Sequence, residues 1–285
     1  MAKTATKNKP SVPAVATRRN EVAKAGDEPA FLSERKMTGA GISTDQADNL
    51  IPMARVLQAL SPEVEKRGVS YIKGAEPGDI LIKNAPNPLI KGEEGFEFQP
   101  CYFEKKYVEW VPRQKGGGGG QGFVAAHDSE PDDTISRPDP ENEERMIRVR
   151  KSNGNLVVET RYYGGYAVWD DGTAMPCVIP FQGSGHSVAK AWNLHMAQQT
   201  HNGNRVDMWA IYYRFTTKMR TKGQQSWFVF DIKDAGPEKD GIPTRKWVSD
   251  SDYARGEALN KSLSSQAMRF DRSAEDVGET ATDTM

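Results

Sequence analysis

The chain is poor in the residues that build reactive or covalently stapled sites. Its two cysteines, Cys101 and Cys177, sit in apolar, strand-like runs with no second cysteine or histidine at ligand spacing. That excludes a disulfide framework and a cysteine-built zinc site, and predicts two buried thiols in a reducing compartment. Long apolar runs are missing too. None nears the roughly 20 residues that a membrane span requires, and the first residues lack the apolar core of a signal peptide.

Catalytic signatures are equally scarce. The P-loop, dinucleotide-binding, HExxH and GxSxG patterns are absent, and the run Gly116–Gly120 lacks the Lys-Ser/Thr pair of a phosphate loop, so it reads as a flexible hinge. His127, His186, His195 and His201 do not share one helical face with carboxylates, as a metal or general-base site would ask. The acids between Asp128 and Glu144 lack the ligand order and turn glycine of an EF-hand loop. The expectation is a non-enzyme with no cofactor, no metal and no membrane partner.

What is present is an uneven charge layout behind a formal net charge of −1. Lys3, Lys7, Lys9, Arg18, Arg19 and Lys24 face Glu21 alone near the start, and no aromatic residue accompanies them. Asp271, Glu275, Asp276, Glu279 and Asp283 face Arg272 alone at the end. Neither stretch buries enough apolar surface to offset its ordering entropy, so residues 1–42 read as a disordered basic arm and 271–285 as an acidic tail. Residues 43–270 read as one β-rich domain. Within it, 114–145 combines the glycine run with acids and reads as a mobile insertion.

Leu50, Ile51, Met53, Val56, Leu57 and Leu60 suggest a short amphipathic helix broken at Pro52 and Pro62. Strands are predicted over 79–83, 96–103, 107–111, 146–150, 155–163, 166–169, 175–181, 208–217 and 225–232. A helix is predicted from Ser187, with Ser187 as its N-cap, and another over about 251–270. The basic segment Lys218 to Lys222 reads as the turn between the last two strands. The predicted architecture is mainly β (α+β): an OB-like or related small β-barrel with one or two packed helices.

The strongest functional pattern is the interleaving of aromatic and basic residues on these strands. Lys106, Trp110 and Arg113 form one cluster, Arg161 and Tyr163 a second, and Tyr212, Arg214, Lys218, Arg220 and Lys222 a third, with Trp227 following. Such surfaces hold single-stranded nucleic acid, because aromatic faces stack on any base while cations follow the phosphates. Alternation also sends half of all strand aromatics into the core; in YYRF, Tyr212 and Arg214 share one face and Tyr213 and Phe215 the other.

The order LIPMARVLQALSPEVE, then Pro77-Gly78-Asp79-Ile80, then FQPCYFEKKYVEWVPR, then a Gly-rich stretch ending GFVAAHDSE, resembles a set of tailed-phage proteins from replication gene clusters. The likeness covers roughly 49–130 and continues loosely through MWAIYYRFTTKMRTKGQQSWFVF. The design is also similar to phage single-stranded-DNA-binding proteins, which join an OB-like barrel to an acidic tail, although no motif aligns residue by residue. The resemblance implies a bacteriophage protein of DNA replication, recombination or repair, in the cytoplasm of the bacterial host. It would bind single-stranded DNA and meet replication proteins (polymerase, helicase or primase) through its tail; homo-oligomerisation stays open. A virion structural or assembly protein with a β-rich domain is the alternative.

Overall fold

The computed structural model of the chain describes residues 50–112, 122–140, 142–266 and 269–270. The expected basic arm, Arg113, the glycine run and the acidic tail lie outside the described residues.

The described part opens with β1 (Leu50–Ile51) and β2 (Ala54–Val56), not with a helix. Pro52 fixes its own φ and donates no hydrogen bond, and residues 51–54 are buried throughout, so the segment has no solvent face for an amphipathic helix to use. Strands β3 (Ile80–Ile82) and β4 (Leu89–Ile90) extend β2 into a small antiparallel sheet, β2-β3-β4.

The main sheet is built from β5 (Phe96–Trp110), β6 (Phe123–His127), β7 (Thr134–Asp139), β8 (Asn142–Arg150), β9 (Leu156–Val168) and β10 (Ala174–Phe181). Helix α1 (Gly185–Ala197) follows, then the short pair β11 (Thr200–His201) and β12 (Asn204–Arg205), then the long hairpin β13 (Ile211–Lys222) and β14 (Gln225–Asp234). Short strands β15 (Glu238–Lys239), β16 (Ile242–Pro243) and β17 (Lys246–Trp247) lead into helix α2 (Asp250–Ser264) and β18 (Arg269–Phe270), which pairs with β1.

The nine-stranded sheet runs β14-β13-β5-β9-β8-β7, with β10 beside β9, β17 beside β13 and β6 beside β5. The chain is therefore mainly β, but the expected barrel is corrected: the path is open, and among the described residues no pairing joins β14 to β7. Within the segment 114–145, read from composition as an insertion without structural elements, 123–127 and 134–139 are strands and 142–145 open β8; the glycine run lies outside the described residues. Two acids between these strands are partnered. Asp133 accepts from the Arg150 side chain and from the Ser152 N–H, and Glu130 lies 3.7 Å from Arg148.

Two runs expected as separate strands are continuous in β5, and two more in β9, where a β-bulge of β5 meets the Gly164-Gly165 pair that divides the two β9 runs. Pro100 pairs with Gly165 and Tyr102 with Gly164, so Cys101 is the extra residue. A Cβ on Gly165 would stand 2.1 Å from the Gln99 carbonyl oxygen, and only glycine allows that approach. The bulge also reverses which side chains face which way. Phe96 and Phe98 precede it and Phe103 follows it on one face, where α1 packs; Gln99 precedes it, and Tyr102, Val108 and Trp110 follow it, on the face covered by α2.

Trp192 of α1 meets Phe98, Tyr163, Tyr213 and Phe215, at ring centroid distances from 4.6 to 6.3 Å. Leu259 and Leu263 of α2 cover Cys101, Val108, Trp110 and Tyr162 on the other side. Both cysteines are buried and free, and burial pushes the Cys177 thiol up to about 12. The N-cap of α1 is Ser184 rather than the expected Ser187, whose hydroxyl instead donates to the Ser184 carbonyl at 3.1 Å. Helix α2 is capped by Ser249, which accepts from the Asp252 N–H.

Candidate functional site

The hairpin β13–β14 carries the third predicted cluster. Residues 218–222 are strand, not turn; the bend is the two residues between Lys222 and Gln225, where Gly223 takes a φ of 60°. Strand alternation therefore governs these cations. By alternation Tyr212, Arg214, Thr216, Lys218, Arg220 and Lys222 share one side of the β13 ladder; at the Tyr212 end this is the α2 face, whereas at the hairpin end Arg220 reaches Ser187 of α1. Their neighbours across the ladder are Lys233 beside Arg214, Asp231 beside Thr216, Val229 beside Lys218, Trp227 beside Arg220 and Gln225 beside Lys222. Tyr213 and Phe215, at 1% and 0% exposure, fill the opposite face, as alternation in YYRF predicts.

On this face Arg214, Lys218, Arg220, Lys222 and Lys233 share the hairpin with one acid, Asp231. Lys218 pairs with Asp231, and Lys233 stands 3.7 Å from it. Arg220 donates to the Ser187 hydroxyl at 3.0 Å. Arg214 donates to the Glu94 carbonyl and lies 3.6 Å from Asp170. Exposed pairs of this kind are worth about 0–1 kcal/mol, so an arriving phosphate displaces them at small cost.

Next to Arg214 the same face sinks into a cavity of about 430 Å³, between the β9–β10 turn, β17 and the start of α2. Tyr212 lies within its lining, 6% exposed, and its hydroxyl bonds Asp252; burial, then Asp252, pushes that phenol up. Lys246 reaches both Glu97 carboxylate oxygens at 2.7 Å and sits 5.5 Å from the Tyr212 ring centroid. Trp247, 45% exposed, forms the rim, with the Arg245 guanidinium 4.9 Å from its centroid and the His201 ring at 5.3 Å.

The other predicted residues are placed elsewhere. Trp110 and Tyr163 are fully buried, so the expectation that they stack on bases is corrected. Trp110 packs edge-on to Phe123, and the Tyr163 hydroxyl donates to Asn193 at 2.8 Å. Tyr212 is nearly as buried, closed over by Lys246 and α2. Trp227 is half-buried on the hairpin face, and its indole N–H has no hydrogen-bond partner. Lys106 shares the α2 face but is paired with Glu104 and Asp128. It also lies nine positions beyond Glu97, the partner of Arg214, and so about 30 Å along the sheet. Arg161 pairs with Lys105 in the ladder and so faces the α1 side; it holds Glu159 at 3.0 Å.

The described members of the first two clusters thus do not join the third. Reading by sequence also missed Arg245, Lys246 and Trp247, although the run TRKW carries the same basic-aromatic interleaving.

An open-sheet, mainly β protein with a cationic strand face beside an aromatic cavity is the class these features define. The chain belongs to the Pam3 phage gp34-like protein family, whose model matches residues 20–269. It is also similar to the non-homologous end joining protein Ku of Solibacter usitatus (strain Ellin6076), with 37% identity over 119 residues. That alignment covers 41% of this chain and 44% of the relative, so the chain spans less than half of the relative's length. No solved structure matches it. Among the described residues no helix is long and apolar enough to cross a membrane.

Proposed function

We propose that this phage protein binds single-stranded DNA without sequence preference, as a non-catalytic component of replication, recombination or repair. One observation carries the reading: alternation along β13 aligns Arg214, Lys218, Arg220 and Lys222 on a single face, with Trp227 across from Arg220. Successive same-face positions on a strand lie about 6.6–6.8 Å apart, close to the spacing of phosphates along an extended strand. Trp227 and the exposed rim residue Trp247 supply ring faces that stack on unpaired bases, which a duplex keeps within its own stack. The partial likeness to a protein of non-homologous end joining supports DNA as the partner, since end joining is a reaction of DNA. In this reading the acidic tail, Asp271 to Asp283 in the sequence, meets the replication proteins.

The test is an anisotropy titration of a labelled dT strand and of a duplex of equal length at low salt. The reading expects the strand to bind at least about tenfold more tightly, the equivalent of one stacked aromatic. Equal affinity would keep DNA binding and overturn the single-strand preference. No binding to either would overturn the reading, and assembly through the exposed apolar residues Phe123, Val124, Ile135 and Met146 would become the one to test.

A further inference from the structure

The cavity beside Arg214 differs in chemistry from the strand face that leads to it. Its cations are already matched: Lys246 holds Glu97, and Arg255 holds Asp252 at 2.8 Å. With Asp170 also in the lining, acids outnumber cations there, and a phosphate gains little by entering. Its aromatic groups, by contrast, come from three separate elements: Trp169 after β9, Tyr212 on β13 and Trp247 on β17. The Trp169 indole N–H is buried without a hydrogen-bond partner. A volume of about 430 Å³ falls within the range of pockets that enclose small planar ligands.

We infer that this cavity takes one unstacked nucleobase of the bound strand, an inference that rests on the strand-binding reading. The strand's phosphates run outside, over Arg214 and towards Lys218, while one base turns inward against Trp247 and above Tyr212. Carboxylates accept hydrogen bonds from amino and imino groups. Glu97 and Asp252 are held by Lys246, Arg255 and Ser249, whereas the Asp170 side chain, 92% exposed at the cavity, is open to a base that carries an exocyclic amine. Guanine offers both an N1–H and an amine to one carboxylate; thymine offers a single imino N–H. The cavity thus adds a preference for an amine-bearing base at one position to a surface that otherwise ignores sequence.

The experiment uses the full chain and labelled oligonucleotides that are dT throughout except for one central position, dG in the first and abasic in the second. An all-dT strand binding as tightly as the dG strand would overturn the amine preference. Wild type should bind the dG strand about tenfold more tightly than the abasic strand, the worth of one stacked base. In Trp247→Ala the two affinities should converge, while Trp247→Phe, which keeps a ring, retains the difference. Trp227→Ala should weaken both strands alike and leave their ratio unchanged. If wild type binds both strands equally tightly, or if Trp247→Ala keeps the ratio, the cavity inference is overturned and strand binding stands. If neither strand binds at low salt, the strand-binding reading fails and the inference falls with it.

Discussion

The Gln58 side-chain amide pairs with both backbone groups of Phe228: its nitrogen donates to the carbonyl and its oxygen accepts from the N–H, each at 2.9 Å. The side chain thereby stands in for a strand along β14, the outermost strand of the main sheet. An unpaired edge there would be a template for pairing with other chains. Gly78 supports the same contact, because a Cβ at that position would stand 2.6 Å from the Phe228 ring. Gln58→Ala should cost about 1–3 kcal/mol of stability, the penalty for two backbone groups losing their partners. Urea unfolding of the variant against wild type measures it, and a rise in concentration-dependent light scattering would report the opened edge.

Glu109 predicts a defined pH response. Burial alone would push its carboxyl up, but donors from Asn155, Asn153, His127 and Arg150, at 2.6 to 3.1 Å, outweigh it and hold the group at about 2. A carboxylate depressed from about 4.5 to about 2 stabilises the fold above its unfolded pKa and loses that contribution as pH falls towards 2. The full effect is about 3 kcal/mol. Glu109→Gln should be less stable than wild type at pH 6, with the gap shrinking as pH drops to 3. Urea midpoints at the two pH values decide this, and a gap that stays constant with pH would contradict it.

The burial of Trp110 and Tyr163 separates packing from binding. Trp110→Ala should cost about 3–5 kcal/mol by leaving a cavity in the core beneath α2. Tyr163→Phe, which removes only the hydroxyl bonded to Asn193, should cost about 1 kcal/mol and leave affinity for a dT strand unchanged. A several-fold loss of affinity in a stably folded Tyr163→Phe variant would place that residue at the DNA after all.

Gly165 is a steric requirement of the bulge. Gly165→Ala would drive a methyl group against the Gln99 carbonyl, and because backbone cannot yield as a flexible side chain does, the expected cost is about 3 kcal/mol or more. Thermal unfolding of the variant reads it directly.

Much of the strand content was legible because β-branched and aromatic runs such as DILIK, FEFQPCYF and MWAIYYRF declare themselves, and alternation in YYRF correctly sent Tyr213 and Phe215 inward. Alternation does not reveal whether the second face is covered as well. Here α1 and α2 cover both, which is why Trp110 and Tyr163 turned out to be core. The bulge at Cys101 reverses parity along β5, so no count from the sequence places Phe98 and Phe103 on one face. The acids Glu130 and Asp133 masked strands because their partners Arg148 and Arg150 come from the next strand, and composition records charge without recording pairing. The hairpin cations were found but placed in a turn, since in KMRTK the one apolar residue, Met219, is itself 59% exposed and the run shows no buried face.

In the proposed binding mode the β13 face neutralises the phosphates of a DNA strand. The most direct test of that mode is the salt dependence of dT-strand binding for wild type and for a variant with Arg214, Lys218, Arg220 and Lys222 all changed to Ser. Each phosphate contact to a single strand contributes about 0.7 to the slope of log K against log salt, so losing four should flatten the slope by about 3 while affinity falls steeply at low salt. A variant with unchanged slope and affinity would contradict the account and place the DNA, if bound at all, on another surface.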